Sequence, residues 1–470
     1  MTRLDQTGRA RIGFAHAAAL YVGALLGPGV LTLPALAAAI AGPGSLLAWA
    51  VLVAASIPLA GTFTGLAVRY PGSGGVSAFA ARAYGPRAFA VIGWWFFAAT
   101  PIAVYVAARI GGQYVAAAVG GGQPVAVGVT AAIVAVVFAA NLRGLRASGR
   151  VQLIVIGSLI ALLGTATLTA ARHLDSGNFT PLLPGGPVPV AHAAVTLFIA
   201  FAGWEAAAHL TDGVADPRRT LPRVAAATVA IVGALYLGVA AVTVGVLGTD
   251  VTTTHAPLIA LLRHGVGPAA APLAALVALL LTGGAANTFL AGSTRLGIAL
   301  AERGALPARI VRGGHRSSLA VQAALTAGVA AGSAALHIEL ADLLRTVSVL
   351  LAAVTVAGTS AGILLLPAGR RWIAAVTATV VTAAVLGAAG PLLAVPALLG
   401  VLAVAWPHFT RRPTRAAERT VLMPASAATA PALPLDGTAL VPWRRRPPHR
   451  SRRRKPRRRH ARSPVTWSRR

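Results

Sequence analysis

The 470-residue chain has no cysteine, a single lysine, and only 11 acidic residues. Without cysteine, disulfides, thiolate metal sites and a cysteine nucleophile are excluded. The chain also lacks a phosphate-binding loop, a metal-ligand cluster and a serine elbow, so nothing in it points to an enzyme, a metal or a cofactor. Charge of either sign is scarce: 11% of residues are charged against 56% hydrophobic, and mean hydropathy is +0.73. That balance excludes a soluble domain of this length. Apolar segments of about 20 residues recur between Phe14 and Trp406, and as helices each is long enough to cross a hydrocarbon core of about 30 Å. The class is a polytopic all-α membrane protein. The near absence of lysine beside 40 arginines and abundant alanine looks like the bias of a GC-rich genome, so the choice of arginine says little about function.

The net charge of +30 has two sources. Residues 407–470 hold 18 Lys and Arg against Glu418 and Asp436, and the preceding 406 residues hold 23 against 9. In the apolar part the arginines gather in alternate loops, at Arg69, Arg82 and Arg87, at Arg143, Arg146 and Arg150, at Arg218, Arg219 and Arg223, and at Arg303, Arg309, Arg312 and Arg316. The intervening loops hold Arg172 and Arg263 and little else. By the positive-inside rule both termini are cytoplasmic and the number of spans is even.

The expected spans are 14–40, 44–68, 86–117, 124–140, 151–171, one centred on 196–212, then 224–247, 268–300, 319–337, 340–366, 372–388 and 391–406, twelve in all. Residues 1–13 are short and basic with no cleavage site after the apolar run, so no cleaved signal peptide is expected. Residues 76–84 and a piece ending at Arg263 read as amphipathic, residues 216–223 as a short cytoplasmic turn, and 301–318 as a basic cytoplasmic segment. Arg109, in the outer half of the third span, either snorkels outward or meets an acid in a vestibule.

Two spans are interrupted. In the first, Gly27-Pro28-Gly29 removes a backbone donor and permits non-helical angles. Freed amides from Gly29 to Leu31 would then present positive partial charge to an anion such as a carboxylate; a plain proline kink at a packing contact is the other reading. In the second, TLFIAFAGWEAAAHLTD (196–212), Gly203 interrupts helical propensity just before Glu205. A carboxylate at bilayer depth costs about 2.5–3.5 kcal/mol on insertion scales, so Glu205 should face a cavity or a partner. Glu205, His209 and Asp212 lie at i, i+4 and i+7 on one helical face. They form either a proton relay, since burial disfavours the charged carboxylate and histidine titrates near neutrality, or a structural acid with two interfacial neighbours. Gly203 follows Gly29 by 174 residues. Paired broken helices in matching positions of two halves point to an inverted-repeat transporter with its site between them. Asn287 either hydrogen-bonds in that cavity or ties helices together.

YPGSGGVSAFAARAYGP, Asn141-x-x-Gly144, NFTPLLP, FAGWEAAAHL, DPRRTLPR and ANTFLAGSTRLGIALAERGALP follow one another in this order between Tyr70 and Pro307, within a resemblance that covers about residues 12–406. As an ordered set they resemble the amino acid/polyamine/organocation superfamily of permeases. The GPGVLTLPALAAAIAGPGSLLAW opening and the GWEAAAHL run are most similar to bacterial inner-membrane exporters of methionine and branched-chain amino acids. The resemblance implies about twelve transmembrane helices with a five-plus-five inverted-repeat (LeuT-like) core, and alternating access for an amino acid. Carried over by motif, Gly27, Pro28, Gly29 and Val30 would hold the substrate carboxylate through backbone amides. Phe201, Ala202 and Gly203 would offer carbonyls to its ammonium group, and Trp204 would be a gate or a packing aromatic. The lysine some members use for proton coupling on the fifth span has no counterpart near Ser158 and Leu159.

The function expected is secondary transport of neutral, aliphatic amino acids, with proton-coupled efflux as one form of it; nothing in the sequence shows direction. An uptake permease for another amino acid or amine, and a non-transporting membrane sensor, are the alternatives. Few acids fall in the expected cavity, which argues against polyamines. Expected partners are the amino acid and membrane lipid, in the cell membrane, with no specific nucleic acid. Residues 443–470 are mostly arginine and proline without apolar periodicity, which reads as a disordered cytoplasmic tail.

Overall fold

The computed structural model describes residues 13–70, 75–144, 149–204, 214 and 216–410. The chain divides into a unit of Met1–Arg412 and one of Pro413–Arg470, and the arginine-rich tail lies outside the described residues. The regular elements described are helical. In chain order they are α1 (Phe14–Leu25), α2 (Leu33–Ala41), α3 (Ser45–Arg69), α4 (Gly75–Tyr84), α5 (Pro86–Val119), α6 (Gly122–Leu142), α7 (Gly149–Ala170) and α8 (Pro187–Leu197). There follow α9 (Pro217–Val242), α10 (Pro257–Gly265), α11 (Ala271–Glu302), α12 (Arg309–Ala335), α13 (Leu340–Leu365), α14 (Arg370–Gly387) and α15 (Ala394–Thr410). Among the described residues nine helical stretches are long and apolar enough to cross a bilayer, and the apolar pieces Phe14–Leu25, Pro187–Phe201 and Gly390–Trp406 are shorter.

Two of the short pieces are short because the backbone breaks. α1 stops at Leu25 and is followed by the 3-10 turn Pro28–Leu31, and α8 stops at Leu197 and is followed by the 3-10 turn Phe198–Phe201, with Gly203 just beyond it. The same order of elements then follows each break. A long helix (α3, α9) leads to a short amphipathic one of 10 or 9 residues (α4, α10), and then to an unusually long helix of 34 or 32 residues (α5, α11). α5 and α11 pack along each other in the centre of the bundle. Glycines let them approach: a Cβ on Gly111 of α5 would stand 2.5 Å from Thr282 Oγ1 of α11.

Two boundaries differ from the sequence expectation. Residues 217–223 are not a turn but the first part of α9. Pro217 occupies the first helical position, where the missing amide would have had no partner, and the Asp216 carbonyl accepts from the Arg219 and Thr220 amides at 3.1 and 2.9 Å. Likewise α12 begins at Arg309 rather than at 319, bending at Gly314, whose φ of 56° breaks the helical path. Arg109 meets no acid among the described residues. Its guanidinium donates to Ser333 Oγ and to the Ile338 carbonyl, both at 3.3 Å.

Candidate functional site

Each break has a local cause. Gly27 is extended (φ −79°, ψ 177°), and Pro28 opens the 3-10 turn Pro28–Leu31, since proline has no amide to continue the ladder of α1. The Val30 and Thr32 amides bond back to Gly27 and Gly29 carbonyls at 3.3 and 3.0 Å, whereas the Gly29 amide sits in the first turn, where amides have no intrahelical partner. In the second break, α8 tightens into the 3-10 turn Phe198–Phe201, Ala202 is extended (φ −76°, ψ 129°), and Gly203 takes φ 139°. That angle is open to glycine and strained for every residue with a Cβ.

The breaks lie against each other. A Cβ on Gly29 would be 3.9 Å from Ile199 Cγ2, and one on Gly203 would be 2.7 Å from the Ala24 carbonyl oxygen. Each glycine thus faces the other broken helix.

Unwinding leaves carbonyls without helical partners, and three tyrosines serve them. The Tyr236 hydroxyl of α9 stands 2.7 Å from the Leu25 carbonyl and 3.1 Å from that of Ala200, one from each break. Tyr21 of α1 donates to the Trp204 carbonyl at 2.8 Å, and Tyr114 of α5 to that of Leu31 at 2.6 Å. Ser348 of α13 receives the Ile199 amide at 3.2 Å and donates to the Thr196 carbonyl at 3.0 Å. Such bonds matter because an unpaired polar backbone group in an apolar interior costs several kcal/mol. The aromatic rings pack as they bond: Tyr21 meets Trp204 edge-on at 5.5 Å, and Phe201 meets Tyr236 at 5.4 Å and Trp49 at 5.9 Å.

Around these fixed contacts a strip of backbone stays accessible. Ala24 is exposed and Gly27, Pro28, Ala202 and Gly203 are half-buried, while Gly29, Val30, Phe201 and Trp204 are buried. The strip joins amide-rich backbone at the start of one helix to carbonyl-rich backbone at the end of another. Helix dipoles give the first a positive and the second a negative partial charge. Such a pair suits a small molecule bearing both a carboxylate and an ammonium.

The structure therefore brings together Gly27, Pro28, Gly29, Val30, Phe201, Ala202, Gly203 and Trp204. Asn287 is engaged elsewhere: its Oδ1 accepts from Asn141 Nδ2 at 2.7 Å, joining α11 to α6, and His315 Nε2 lies 3.0 Å from the Asn141 carbonyl. Glu205, His209 and Asp212 lie outside the described residues. Among the described residues no group of three or more His, Cys, Asp or Glu gathers to hold a metal.

A family model described as amino acid permease matches residues 12–413. The chain belongs to the amino acid permease family. Over 389 residues, 81% of this chain and 91% of the relative, the permease is 29% identical to the uncharacterized amino acid permease YecA of Bacillus subtilis strain 168. It is 32% identical over 229 residues, 48% of this chain and 54% of the other, to the L-methionine/branched-chain amino acid exporter YjeH of Escherichia coli strain K12. With the branched-chain amino acid permease BcaP of Bacillus subtilis strain 168 it shares 27% over 241 residues, 47% of this chain and 51% of the relative. The permease is thus a multi-pass membrane transporter of the amino acid permease family, its substrate a small molecule, and not an enzyme. The sequence reading missed Tyr21, Tyr114, Tyr236 and Ser348. One signal was available: the chain has six tyrosines, and a phenol inside an apolar span needs a hydrogen-bond partner.

Proposed function

We propose that the permease is a secondary active transporter that moves neutral aliphatic amino acids, methionine and the branched-chain set, out of the cell by proton-coupled alternating access. Two opposed helix breaks carry this proposal. In the turn Gly27, Pro28, Gly29 and Val30 the substrate carboxylate is received at the Gly29 amide, since Pro28 has no amide and those of Gly27 and Val30 bond the Leu25 and Gly27 carbonyls, and the carbonyls of Phe201, Ala202 and Gly203 receive its ammonium group. The nearby rings of Phe201, Trp204, Trp49 and Tyr21 form an uncharged surface, which favours an apolar side chain over a charged one. The names of two relatives, an exporter and a permease of branched-chain amino acids, support the same substrate class. Glu205, His209 and Asp212, at i, i+4 and i+7 in the sequence, relay the proton. The protein sits in the cell membrane with twelve crossings. Residues 1–13 and the arginine-rich 407–470 are cytoplasmic on either side of the transporter domain.

The test is flux of radiolabelled leucine and methionine in proteoliposomes, with and without a pH gradient, comparing wild type with Glu205→Gln. Wild-type flux should respond to the gradient, and the variant should transport without that response. A folded wild type that moves neither amino acid under any gradient refutes the substrate class. Inward flux against the imposed driving force refutes the direction.

A further inference from the structure

A cavity of about 790 Å³ lies between α5, α6 and α12, and none of its lining residues belongs to either break. Its two ends differ. At one end are Arg109 and Gln113 of α5, Gln123 at the start of α6, and His337 and Glu339 between α12 and α13. At the other are Phe138 of α6 and Ala323 of α12. From Ala323 to Ala334, both on α12, the wall is about 17 Å long at 1.5 Å per residue, against about 15 Å for half of the hydrocarbon core. The cavity is a groove from the polar end of the helices to mid-bilayer. Its long walls are built of small side chains such as Ala131, Ala135, Ala327 and Ala330. α6 and α12 are also among the most peripheral spans, with 22% and 28% of their apolar windows buried, so the groove opens towards lipid.

The charges at the mouth are opposite, and the Arg109 guanidinium also lies over the Tyr105 ring, 5.9 Å from its centroid. Two neutral acceptors, Ser333 Oγ and the Ile338 carbonyl, engage the Arg109 guanidinium, which has five N–H donors. Among the described residues neither Arg109 nor Glu339 forms an ion pair, with each other or with a third group. The matching ligand carries an anion and a cation next to an extended apolar chain.

We propose that this groove binds a zwitterionic phospholipid with a primary ammonium headgroup. One acyl chain lies along the alanine walls, the phosphate faces Arg109, and the ammonium donates to Glu339. A free amino acid has the same two charges, but it would fill only the mouth and leave the apolar run empty. A primary ammonium rather than a quaternary one fits Glu339, because a carboxylate recognises its partner through N–H donors.

Native mass spectrometry of the full-length, delipidated protein with dioleoyl-phosphatidylethanolamine, -phosphatidylcholine or -phosphatidylglycerol tests this. Wild type should retain the ethanolamine lipid about tenfold better than the choline lipid, the worth of one charge-assisted bond. Glu339→Gln should abolish that preference, and Arg109→Gln should weaken retention of all three. Because Arg109 also bonds Ser333 and Ile338, Ala330→Phe provides a variant that obstructs the chain channel without touching the charges. It too should lower retention of all three lipids at an unchanged thermal unfolding midpoint. Equal retention of ethanolamine and choline lipids by wild type, wild-type retention in Glu339→Gln and Ala330→Phe, or displacement of the lipid by leucine would each overturn the proposal.

Discussion

Replacing Gly203 by alanine probes the geometry on which the site depends. At φ 139° a residue with a Cβ bears about 1–3 kcal/mol of backbone strain. The new Cβ would also lie 2.7 Å from the Ala24 oxygen and 3.2 Å from its carbonyl carbon. These are backbone atoms that cannot rotate aside, and overpacking of this kind costs about 1–3 kcal/mol. Relief by moving α1 would pull the Leu25 carbonyl from Tyr236, now 2.7 Å away. The sum is about 2–6 kcal/mol, and even the lower figure is roughly 30-fold in an equilibrium constant. Gly27→Ala is the matched control, because Gly27 has φ −79° and nothing within 4 Å of a new Cβ. Both variants should be measured by thermal unfolding of the purified protein, followed by intrinsic tryptophan fluorescence, and by amino acid binding. Gly203→Ala should unfold at a clearly lower temperature or lose about 30-fold or more in affinity, while Gly27→Ala unfolds with wild type. Indistinguishable behaviour of the two variants in both assays would refute the account of the second break.

Two further substitutions address the contacts around the breaks. Tyr236→Phe keeps the ring packing but withdraws the hydroxyl from the Leu25 and Ala200 carbonyls. It should cost about 1–3 kcal/mol in denaturant-induced unfolding, the penalty for buried acceptors left unmade, and a variant as stable as wild type would show that the hydroxyl caps neither carbonyl to any effect. A double-mutant cycle of Asn141→Ala and Asn287→Ala should give a coupling of about 0.6–1.7 kcal/mol, the range of bonds between membrane helices, with unchanged KM in Asn287→Ala. A large rise in KM for Asn287→Ala without coupling to Asn141 would place Asn287 at the substrate instead.

Much of this protein is legible in the sequence because the information is local. Hydropathy marks the spans, since each apolar run must be long enough to cross the core and each helix satisfies its own backbone. The two breaks are also written locally: Pro28 lacks an amide, and Gly203 alone in its neighbourhood lacks a Cβ. The amphipathic α4 and α10 were visible for the same reason. Local signals misled where a basic, proline-containing run stood in for a turn at 217–223, because prolines near a helix start are compatible with helix.

What only the tertiary structure decided is which groups meet. Tyr236 and Leu25 are 211 residues apart in sequence, Tyr21 and Trp204 183, and Asn141 and Asn287 146. No periodicity within one helix specifies such partners, since they follow from which helices are neighbours and at what height. The same holds for the pairing of the breaks. The sequence determined that two helices must unwind and that their ends must carry opposite partial charge. Packing of α5, α9, α11 and α13 around them put those ends side by side, because backbone groups freed inside a bilayer persist only where neighbouring helices satisfy or enclose them.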